Sequence, residues 1–293
     1  IVIDGKSQTG SINKVAWNVV DGLIKTQQLS AYKTQLWAET TKTDSQRFAD
    51  LKPVEAKFSL DATKSKKISN TLLGIFFEDI NFGADGGLYA ELIKNGSFEF
   101  PMPMMGWRDP DTEAQGVLLI VNQAVHGVNP RYGQLKLKGT GDYVLLNDGF
   151  RGMGIQKDET YNFSIMAKQL SGLATVRLEM VNAKGTVIGK AEPVAINGDW
   201  KKYSLSFTAM DTAQKGKLRV IFNGHGELHM DRLSLFPQHT WKNRPNGLRN
   251  DLVQKLADLK PGFLRFPGGC IVEGRDLTNR YQWKKTIRPI EER

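Results

Sequence analysis

The spacing of apolar and polar residues changes several times along the chain, and each change predicts a different element. An apolar run over residues 72–77 is typical of a buried strand, and it ends abruptly in Glu78 and Asp79. Glycines follow, and then a short helix is predicted through Leu88 and Leu92. A carboxylate at the end of a buried strand is costly unless it has a partner or a role. Glu78 therefore marks either a solvated acidic turn or part of a site.

Upstream of this run, short alternating patterns predict strands at residues 15–20 and 36–38. The dipeptides around them are hairpin-turn signals: Asp4-Gly5, Gly10-Ser11 and Asp21-Gly22. We interpret residues 1–50 as the tail of an upstream β-rich module. Residues 55–61 alternate strictly and predict one more strand, which is followed by an exposed turn at residues 64–67.

From residue 97 to residue 237, strand-length runs alternate with turn residues. The runs are residues 117–121, 143–146, 161–168, 174–181, 202–207, 217–222 and 228–236. Several short strands at this spacing indicate a β-sandwich. We therefore predict a β-sandwich inserted over residues 97–237. Residues 51–96 then form a linking strand and the strand that ends at Glu78.

The pattern changes again in residues 238–293. Four leucines recur at helical intervals between residues 246 and 259, and Lys260-Pro261-Gly262 is a helix terminator. Residues 263–266 then predict a short buried strand. Because a helix between two strands favours a parallel sheet, this segment is expected to continue a strand–helix–strand unit that the sandwich interrupts.

Composition excludes some classes of protein. The 293 residues are 40% hydrophobic and 24% charged with a net charge of +9, as in an ordinary globular chain. The basic residues are scattered, so a nucleic-acid partner is not expected. No apolar run approaches the roughly 18 residues of a membrane span. The single cysteine, Cys270, permits no intrachain disulfide. Residues 71–100 carry five acidic residues and one basic one, an acidic stretch in a basic chain.

Two blocks of sequence carry a resemblance to a known family. The first runs from Gly74 to Phe100, and the second runs from Lys260 to Gly274 and continues from Arg280 to Arg293. Both resemble glycoside hydrolase family 51, the α-L-arabinofuranosidases. The resemblance implies an α/β fold, in which this chain supplies the first strand, first helix and second strand of a (β/α)8 barrel. The all-β sandwich is inserted between that first strand and first helix.

Family 51 enzymes retain configuration, which requires two carboxyl groups about 5–5.5 Å apart. The resemblance implies that both catalytic glutamates lie on later barrel strands, downstream of Arg293. The sequence starts without a methionine or a signal peptide and stops without an ending signal, so we expect both ends to be cut and the enzyme to continue. Glu273, Glu291 and Glu292 lack the family's catalytic context, and we assign neither role to any residue here.

The resemblance does imply substrate contacts. Glu78 is expected to accept hydrogen bonds from arabinose hydroxyls, and Arg265 is expected to hold neighbouring carboxylates in place. Gly269 lets the backbone approach the sugar. Cys270 stands where an asparagine often contacts it, and Arg288 stands where glycine is usual. For Glu78 and Arg265 the alternative is a structural salt bridge.

The sandwich resembles the carbohydrate-binding modules of families 4 and 9 over residues 95–99, 161–168, 198–203 and 229–237. This resemblance implies that the sandwich is a jelly roll. Such modules stack aromatic rings on sugars, and some hold a structural calcium. The candidate stacking residues, each of which could instead pack in the core, are Trp107, Tyr132, Trp200 and Tyr203. Asp231 could ligate calcium or cap a turn. No other cofactor is expected.

Two functions remain open at this stage. The first is a secreted or periplasmic arabinofuranosidase that acts on arabinoxylan or arabinan. The second is a non-catalytic glycan-binding protein that uses the sandwich. Neither predicts a membrane or nucleic-acid partner, and the sequence does not fix the oligomeric state.

Overall fold

The computed structural model describes residues 2–3, 6–7, 9, 14–37, 41–110, 114–123, 129–139, 141–277 and 279–287. The chain divides into two compact units, Ile1–Lys66 and Lys67–Arg293. In the described residues no helix combines the length and the apolar character needed to cross a membrane. Most of the regular structure is β-strand, and it lies in the second unit.

The first unit is mainly helical. Strands β1 (Val2–Ile3) and β2 (Lys6–Ser7) pair antiparallel, and the helices α1 (Trp17–Trp37) and α2 (Asp44–Arg47) follow. The prediction of a β-rich tail over residues 1–50 is therefore wrong.

The error has a local cause in α1. This helix contains no proline and is rich in leucine, lysine and glutamine, which are good helix formers. Its apolar residues do not recur at one helical spacing. The short alternating runs at residues 15–20 and 36–38 were therefore interpreted as strands. Asp21-Gly22, predicted as a turn, lies inside the helix, where Lys25 Nζ pairs with Asp21 at 2.7 Å. The turn signals Asp4-Gly5 and Gly10-Ser11 lie outside the described residues.

Residues 55–61 form no strand, which corrects a second prediction. Phe58 and Leu60 are 93% and 97% exposed, and the segment pairs with no strand in the part of the chain that the structure describes. An alternating segment needs a partner before its backbone groups can join a ladder. The turn after it forms at Asp61, whose carbonyl accepts Lys64 N at 3.2 Å, and residues 64–67 are exposed as predicted.

The second unit contains a sandwich-like antiparallel sheet, as predicted. Strand β3 (Ile75–Phe76) precedes it. Its strands are β4 (Trp107–Arg108), β5 (Gly116–Asn122), β6 (Arg131–Lys138), β7 (Tyr143–Asn147), β8 (Met153–Ile155), β9 (Thr160–Val181), β10 (Val187–Ile196), β11 (Lys201–Thr208) and β12 (Ala213–Pro237). The domain limits 97–237, like the other predicted limits, remain predictions.

The long strands β9 and β12 run through both layers of this sandwich. In one layer the second half of β9 pairs with the first half of β12, flanked by β10 and β7. In the other layer the first half of β9 pairs with the second half of β12, flanked by β11 and β6, and β5 extends β6. The sequence prediction divided each long strand in two because the alternation breaks where the strand changes layer.

Glycines allow the long strands to bend there. Gly172, Gly224 and Gly226 have φ of +75°, +127° and +98°. A Cβ on Gly226 would lie 2.1 Å from Ser171 O, and a Cβ on Gly224 would lie 2.0 Å from Leu173 O. The two backbones therefore approach more closely than any residue with a side chain would permit.

The core lies between the two layers and receives alternate residues of both. Its largest fully buried side chains include Tyr143, Phe163 and Phe222. Phe98 also belongs to it, although it precedes the strands, and its ring lies 5.9 Å from that of Trp107. Glu91 ties the entering segment to the last strand, since Oε1 accepts Leu235 N at 2.8 Å and Oε2 accepts Ser234 Oγ at 2.5 Å.

The remaining elements of the second unit are α3 (Asn250–Asp258), β13 (Leu264–Arg265), α4 (Cys270–Glu273) and α5 (Trp283–Thr286). β13 pairs parallel with β3, so the predicted helix, second strand and parallel pairing are confirmed. The strands are not buried within this chain, because Leu73, Phe76 and Leu264 are 75%, 53% and 60% exposed.

The short helix predicted through Leu88 and Leu92 is wrong. That segment forms turns and isolated bridges. Gly86 has φ of +79°, and a Cβ on Gly87 would lie 1.9 Å from Gly83 O. Three glycines thus allow a tight turn, and this local geometry outweighs the apolar spacing of the two leucines.

Candidate functional site

The parallel strands β3 and β13 end side by side and position the first candidate site. Phe77 N donates to Arg265 O at 2.9 Å, and Asp79 N donates to Pro267 O at 2.8 Å. The pairing thus continues past both strands. It brings Glu78 to the same edge as the Pro267–Gly269 turn, where active sites of parallel α/β barrels are built.

The Glu78 carboxylate is held by backbone amides. Oε1 accepts Gly269 N at 3.2 Å and Ile271 N at 3.3 Å. A Cβ on Gly268 would come within 2.7 Å of Glu78 Cγ, and this glycine has φ of +146°. No described residue forms an ion pair with Glu78 or bonds to its Oε2. One oxygen is therefore fixed by the loop, and the other is available as an acceptor.

Arg265 lies at the same strand end. Its guanidinium Cζ is 4.7 Å from the centroid of the Phe76 ring, and a Cβ on Gly269 would lie 3.7 Å from its Nη2. It is exposed, and it forms no ion pair with a carboxylate among the described residues. The salt-bridge alternative for Arg265 and Glu78 therefore finds no support in this part of the chain. The role of Arg265 in orienting carboxylates remains a prediction.

The other predicted residues of this region lie close by. Gly269 is half-buried, and Cys270 is exposed at the first position of α4. Glu273 is exposed at the end of that helix. Arg288, Glu291 and Glu292 lie outside the described residues.

Asp79, Asp85 and Tyr281 were not predicted as site residues, and in the fold the two carboxylates act electrostatically on the Tyr281 hydroxyl. Asp79 Oδ1 accepts Ala84 N at 3.1 Å. Partial burial and the charges of Asp79 and Asp85 raise the pKa of the Tyr281 hydroxyl. This hydroxyl therefore stays protonated and can donate a hydrogen bond. The acidic stretch was a visible signal for the two aspartates, whereas only the fold brings Tyr281 to them.

Two of the four aromatic candidates in the sandwich belong to its core. Trp107 is 4% exposed and its Nε1 donates to Asn95 O at 2.8 Å. Tyr203 is 7% exposed and its hydroxyl donates to Asn197 O at 2.8 Å. Both residues therefore pack in the core, and the prediction that they could stack on a sugar is wrong.

The other two candidates, Tyr132 and Trp200, form an aromatic cluster with His229. The Tyr132 and Trp200 rings meet edge to face at 6.2 Å, and the His229 ring lies 4.6 Å from Tyr132 and 6.3 Å from Trp200. His229 lies between Leu228 and Met230 on β12 and is buried like them, at 6% exposed, with Tyr132 and Trp200 against its ring. Sequence reasoning missed this histidine because nothing in the local pattern links it to the two aromatic residues.

Polar groups surround the aromatic cluster. Gln134 Nε2 donates to Glu227 Oε1, which lies 3.3 Å from His229 Nε2, and Lys168 Nζ lies 5.5 Å from the Trp200 ring. Burial lowers the pKa of His229 below its ordinary value. The imidazole is therefore neutral near pH 7 and offers one donor and one acceptor. Aromatic rings beside such groups can bind a sugar through its apolar face and its hydroxyls.

Asp231, the candidate calcium ligand, is 9% exposed. Its Oδ1 accepts Arg232 N at 2.7 Å, and its Oδ2 accepts Asn129 Nδ2 at 2.9 Å. Burial raises the pKa of Asp231 to about 6, although these donors oppose the shift. The described residues contain no group of three or more His, Cys, Asp or Glu side chains that could hold a metal ion.

Two segments of the chain match known protein families. Residues 255–293 match the family described as alpha-L-arabinofuranosidase 1 domain, and residues 90–225 match the family described as carbohydrate binding domain. An arabinose-bound GH51 α-L-arabinofuranosidase structure superposes with a TM-score of 0.67 and 28% identity, covering 76% of this chain and 38% of that one. The resemblance to family 51 is confirmed.

Curated relatives named as α-L-arabinofuranosidases agree. The chain is 39% identical to an extracellular exo-alpha-L-arabinofuranosidase of Streptomyces chartreusis, over 79% of this chain and 29% of that protein. It is 32% identical to alpha-L-arabinofuranosidase 2 of Arabidopsis thaliana, over 78% of this chain and 36% of that protein. The chain thus spans about a third of the length of these relatives.

Proposed function

We propose that this chain is part of a retaining α-L-arabinofuranosidase that removes terminal arabinofuranosyl residues from arabinoxylan or arabinan. The names of the relatives support the activity. One observation of the chain itself carries the proposal. Glu78 is fixed through Oε1 at the carboxyl end of a parallel strand pair, and its Oε2 accepts no hydrogen bond from a described residue.

In this proposal Glu78 binds the sugar. An ionised carboxylate only accepts hydrogen bonds, and those that it accepts from hydroxyls are charge-assisted. Gly269 and Cys270 line the same turn, and Arg265 lies beside it. We assign these four residues to substrate binding. They would position the arabinose ring rather than react with it.

The same proposal makes β3, α3 and β13 the first strand, first helix and second strand of a (β/α)8 barrel. The parallel pairing supports it. The exposure of Leu73, Phe76 and Leu264 supports it as well, because further barrel strands would cover such side chains.

Retaining hydrolysis requires an acid/base and a nucleophile about 5–5.5 Å apart. We assign neither role to a residue of this chain and expect both glutamates downstream of Arg293. Residues 1–293 alone should therefore not hydrolyse an aryl arabinofuranoside.

The test compares residues 1–293 with the full-length product of the gene on an aryl α-L-arabinofuranoside. The full-length product should hydrolyse it, and proton NMR should show that the first arabinose released keeps the α configuration. Hydrolysis with inversion would contradict the proposal. Turnover by residues 1–293 that a point mutation in them abolishes would show that the active site is misplaced.

A second function, glycan binding by the sandwich, is favoured by the cluster of Tyr132, Trp200 and His229. Its polar rim supports a neutral or acidic polysaccharide such as arabinoxylan as the partner. In affinity electrophoresis with arabinoxylan, the chain should be retarded, and Trp200→Ala and Tyr132→Ala should each remove most of the retardation. Trp17→Ala, which removes a tryptophan that is 75% exposed in the first unit, is the control. Equal retardation of all four proteins would contradict sandwich binding.

The proposed substrate also indicates where the protein acts relative to the cell. A plant polysaccharide is met outside the cell, and the Streptomyces relative is named extracellular. We therefore propose that the whole protein is secreted or periplasmic.

A further inference from the structure

The sandwich begins and ends beside a group of charged residues that the proposed functions do not use, namely Glu99, Arg131 and Asp231. Residues 98–100 enter the sandwich here, and Asp231 lies on its last strand. Met230 pairs with Gly133 of β6 and Asn129 Nδ2 donates to Asp231 Oδ2, so Asp231 lies beside the start of β6. Asp231 is the residue that the sequence indicated as a candidate ligand for a structural calcium.

Arg131, the first residue of β6, already binds the oxygens at this place. Its Nη1 donates to Phe98 O at 3.2 Å and to Phe100 O at 2.8 Å. Its backbone N donates to Glu99 Oε1 at 2.8 Å. One arginine thus bonds to the carbonyls on both sides of Glu99 and to the carboxylate of Glu99 itself.

The acceptors on the Asp231 side are also occupied. Both carboxylate oxygens of Asp231 accept N–H groups, from Arg232 and from Asn129. Arg232 Nε lies 3.6 Å from Oδ2. In this group of described residues, Asn129 Oδ1 is the buried side-chain oxygen that lacks a partner.

These residues do not fit a calcium ion. Calcium takes about six to eight oxygen ligands at roughly 2.3–2.6 Å, and most of the oxygens here already accept hydrogen bonds. A bound calcium would have to displace the guanidinium of Arg131 from Phe98 O and Phe100 O. Side by side, the two cations would repel each other.

We propose that Arg131 takes the place of a structural calcium in this sandwich. Its guanidinium supplies the positive charge and the directed bonds that join residues 98–100 to β6, next to Asp231 on the last strand. The sandwich is therefore stable without calcium and does not bind it at this place. This inference concerns stability and holds whether or not the whole protein hydrolyses arabinofuranosides.

The first experiment uses residues 1–293 without substitution. The protein is passed through calcium-containing buffer and gel filtration, and its calcium content and Tm are measured, the Tm with EDTA and with millimolar calcium. We expect no stoichiometric calcium and the same Tm in both. One calcium per chain, or a Tm that falls in EDTA, would overturn the proposal.

The second experiment replaces the arginine. Arg131→Ala removes the charged donor bonds, so Tm should fall by roughly 3–12 °C, whereas Arg151→Ala, at an exposed position of the same sandwich, should leave it unchanged. Arg131→Gln keeps one donor group, so its Tm should lie between those of Arg131→Ala and Arg151→Ala. This variant replaces Arg131→Ala in the comparison if the alanine variant does not fold. Equal Tm for the Arg131 and Arg151 variants would overturn the proposal.

Discussion

Gly269 N donates a hydrogen bond to Glu78 Oε1 at 3.2 Å, although 191 residues separate the two along the chain. Ile271 N adds a second bond to the same oxygen at 3.3 Å. The end of β3 and the turn after β13 are thus fixed to each other by one carboxylate oxygen. In the proposed site the two oxygens of this side chain therefore have different roles, since Oε1 fixes the loop and Oε2 is assigned to the sugar.

This division makes Glu78→Gln an informative substitution. The amide oxygen can still accept both backbone N–H groups, whereas the NH₂ group replaces the acceptor at Oε2. A hydrogen bond to a charged group contributes about 1.5–3 kcal/mol. In the full-length enzyme, kcat/KM should therefore fall at least roughly tenfold, while Tm changes little.

Glu192→Gln, an exposed position of the sandwich, is the matched control for the loss of one charge. Both kinetics and melting are measured on each variant. A lower Tm with unchanged kcat/KM for Glu78→Gln would show that the residue is structural and would remove it from the site.

Most elements around this site could be predicted from the sequence, because each one is marked by residues that are close together in the chain. The apolar run stops at Glu78, the leucine spacing ends at Lys260-Pro261-Gly262, and β13 follows at once, so β3, α3 and β13 could all be placed. Tyr281 could not be placed beside Asp79 in this way. Their proximity depends on the course of the chain after β13, and no local pattern records it.

The sandwich shows the same limit. Alternation predicted the segments of β9 and β12, but it could not show that each pair of segments is one strand that changes layer at glycines. It also could not separate Trp107 and Tyr203, which are buried, from Tyr132 and Trp200, which lie beside His229. Every alternating strand has two faces, and only the packing of the layers decides which one is the core.

The glycines at the layer change give a prediction about stability. Gly226 and Gly185 both have positive φ, +98° and +85°. A Cβ on Gly226 would lie 2.1 Å from Ser171 O, whereas a Cβ on Gly185 meets nothing within 4 Å. Gly185→Ala should cost roughly 1–2 kcal/mol for its backbone conformation alone. Gly226→Ala should cost about 3 kcal/mol or more, because β9 and β12 must also separate.

Urea unfolding of residues 1–293 measures both costs, with the unfolding of the sandwich followed by tryptophan fluorescence. Gly185→Ala is the control for Gly226→Ala, because residue 185 also has a positive φ but has no close contact for an added Cβ. Similar losses for the two variants would mean that the close approach of β9 and β12 does not limit stability.

Glu91 makes the attachment of the sandwich depend on pH. Burial raises the pKa of Glu91 to about 7 from an ordinary value of 4.5, although bonds from Leu235, Ser234 and Ile93 oppose the shift. Between these two pH values the folded protein keeps a proton that the unfolded chain has lost. The contribution of Glu91 to stability is therefore complete below about pH 4.5 and is lost as the pH rises through about 7.

Glu91→Gln tests this directly, because glutamine stays neutral and its oxygen can still accept Leu235 N and Ile93 N. The free energy of unfolding is measured for both proteins at about pH 5 and about pH 8. From the lower to the higher pH, the free energy of unfolding of the glutamine variant should rise by about 1–3 kcal/mol relative to that of the unsubstituted protein. Asp231, whose pKa is raised to about 6, and His229, whose pKa is lowered by burial, are present in both proteins and cancel in the difference. Glu192→Gln should show no such shift, and a pH-independent difference for Glu91→Gln would mean that Glu91 is ionised in the folded protein throughout.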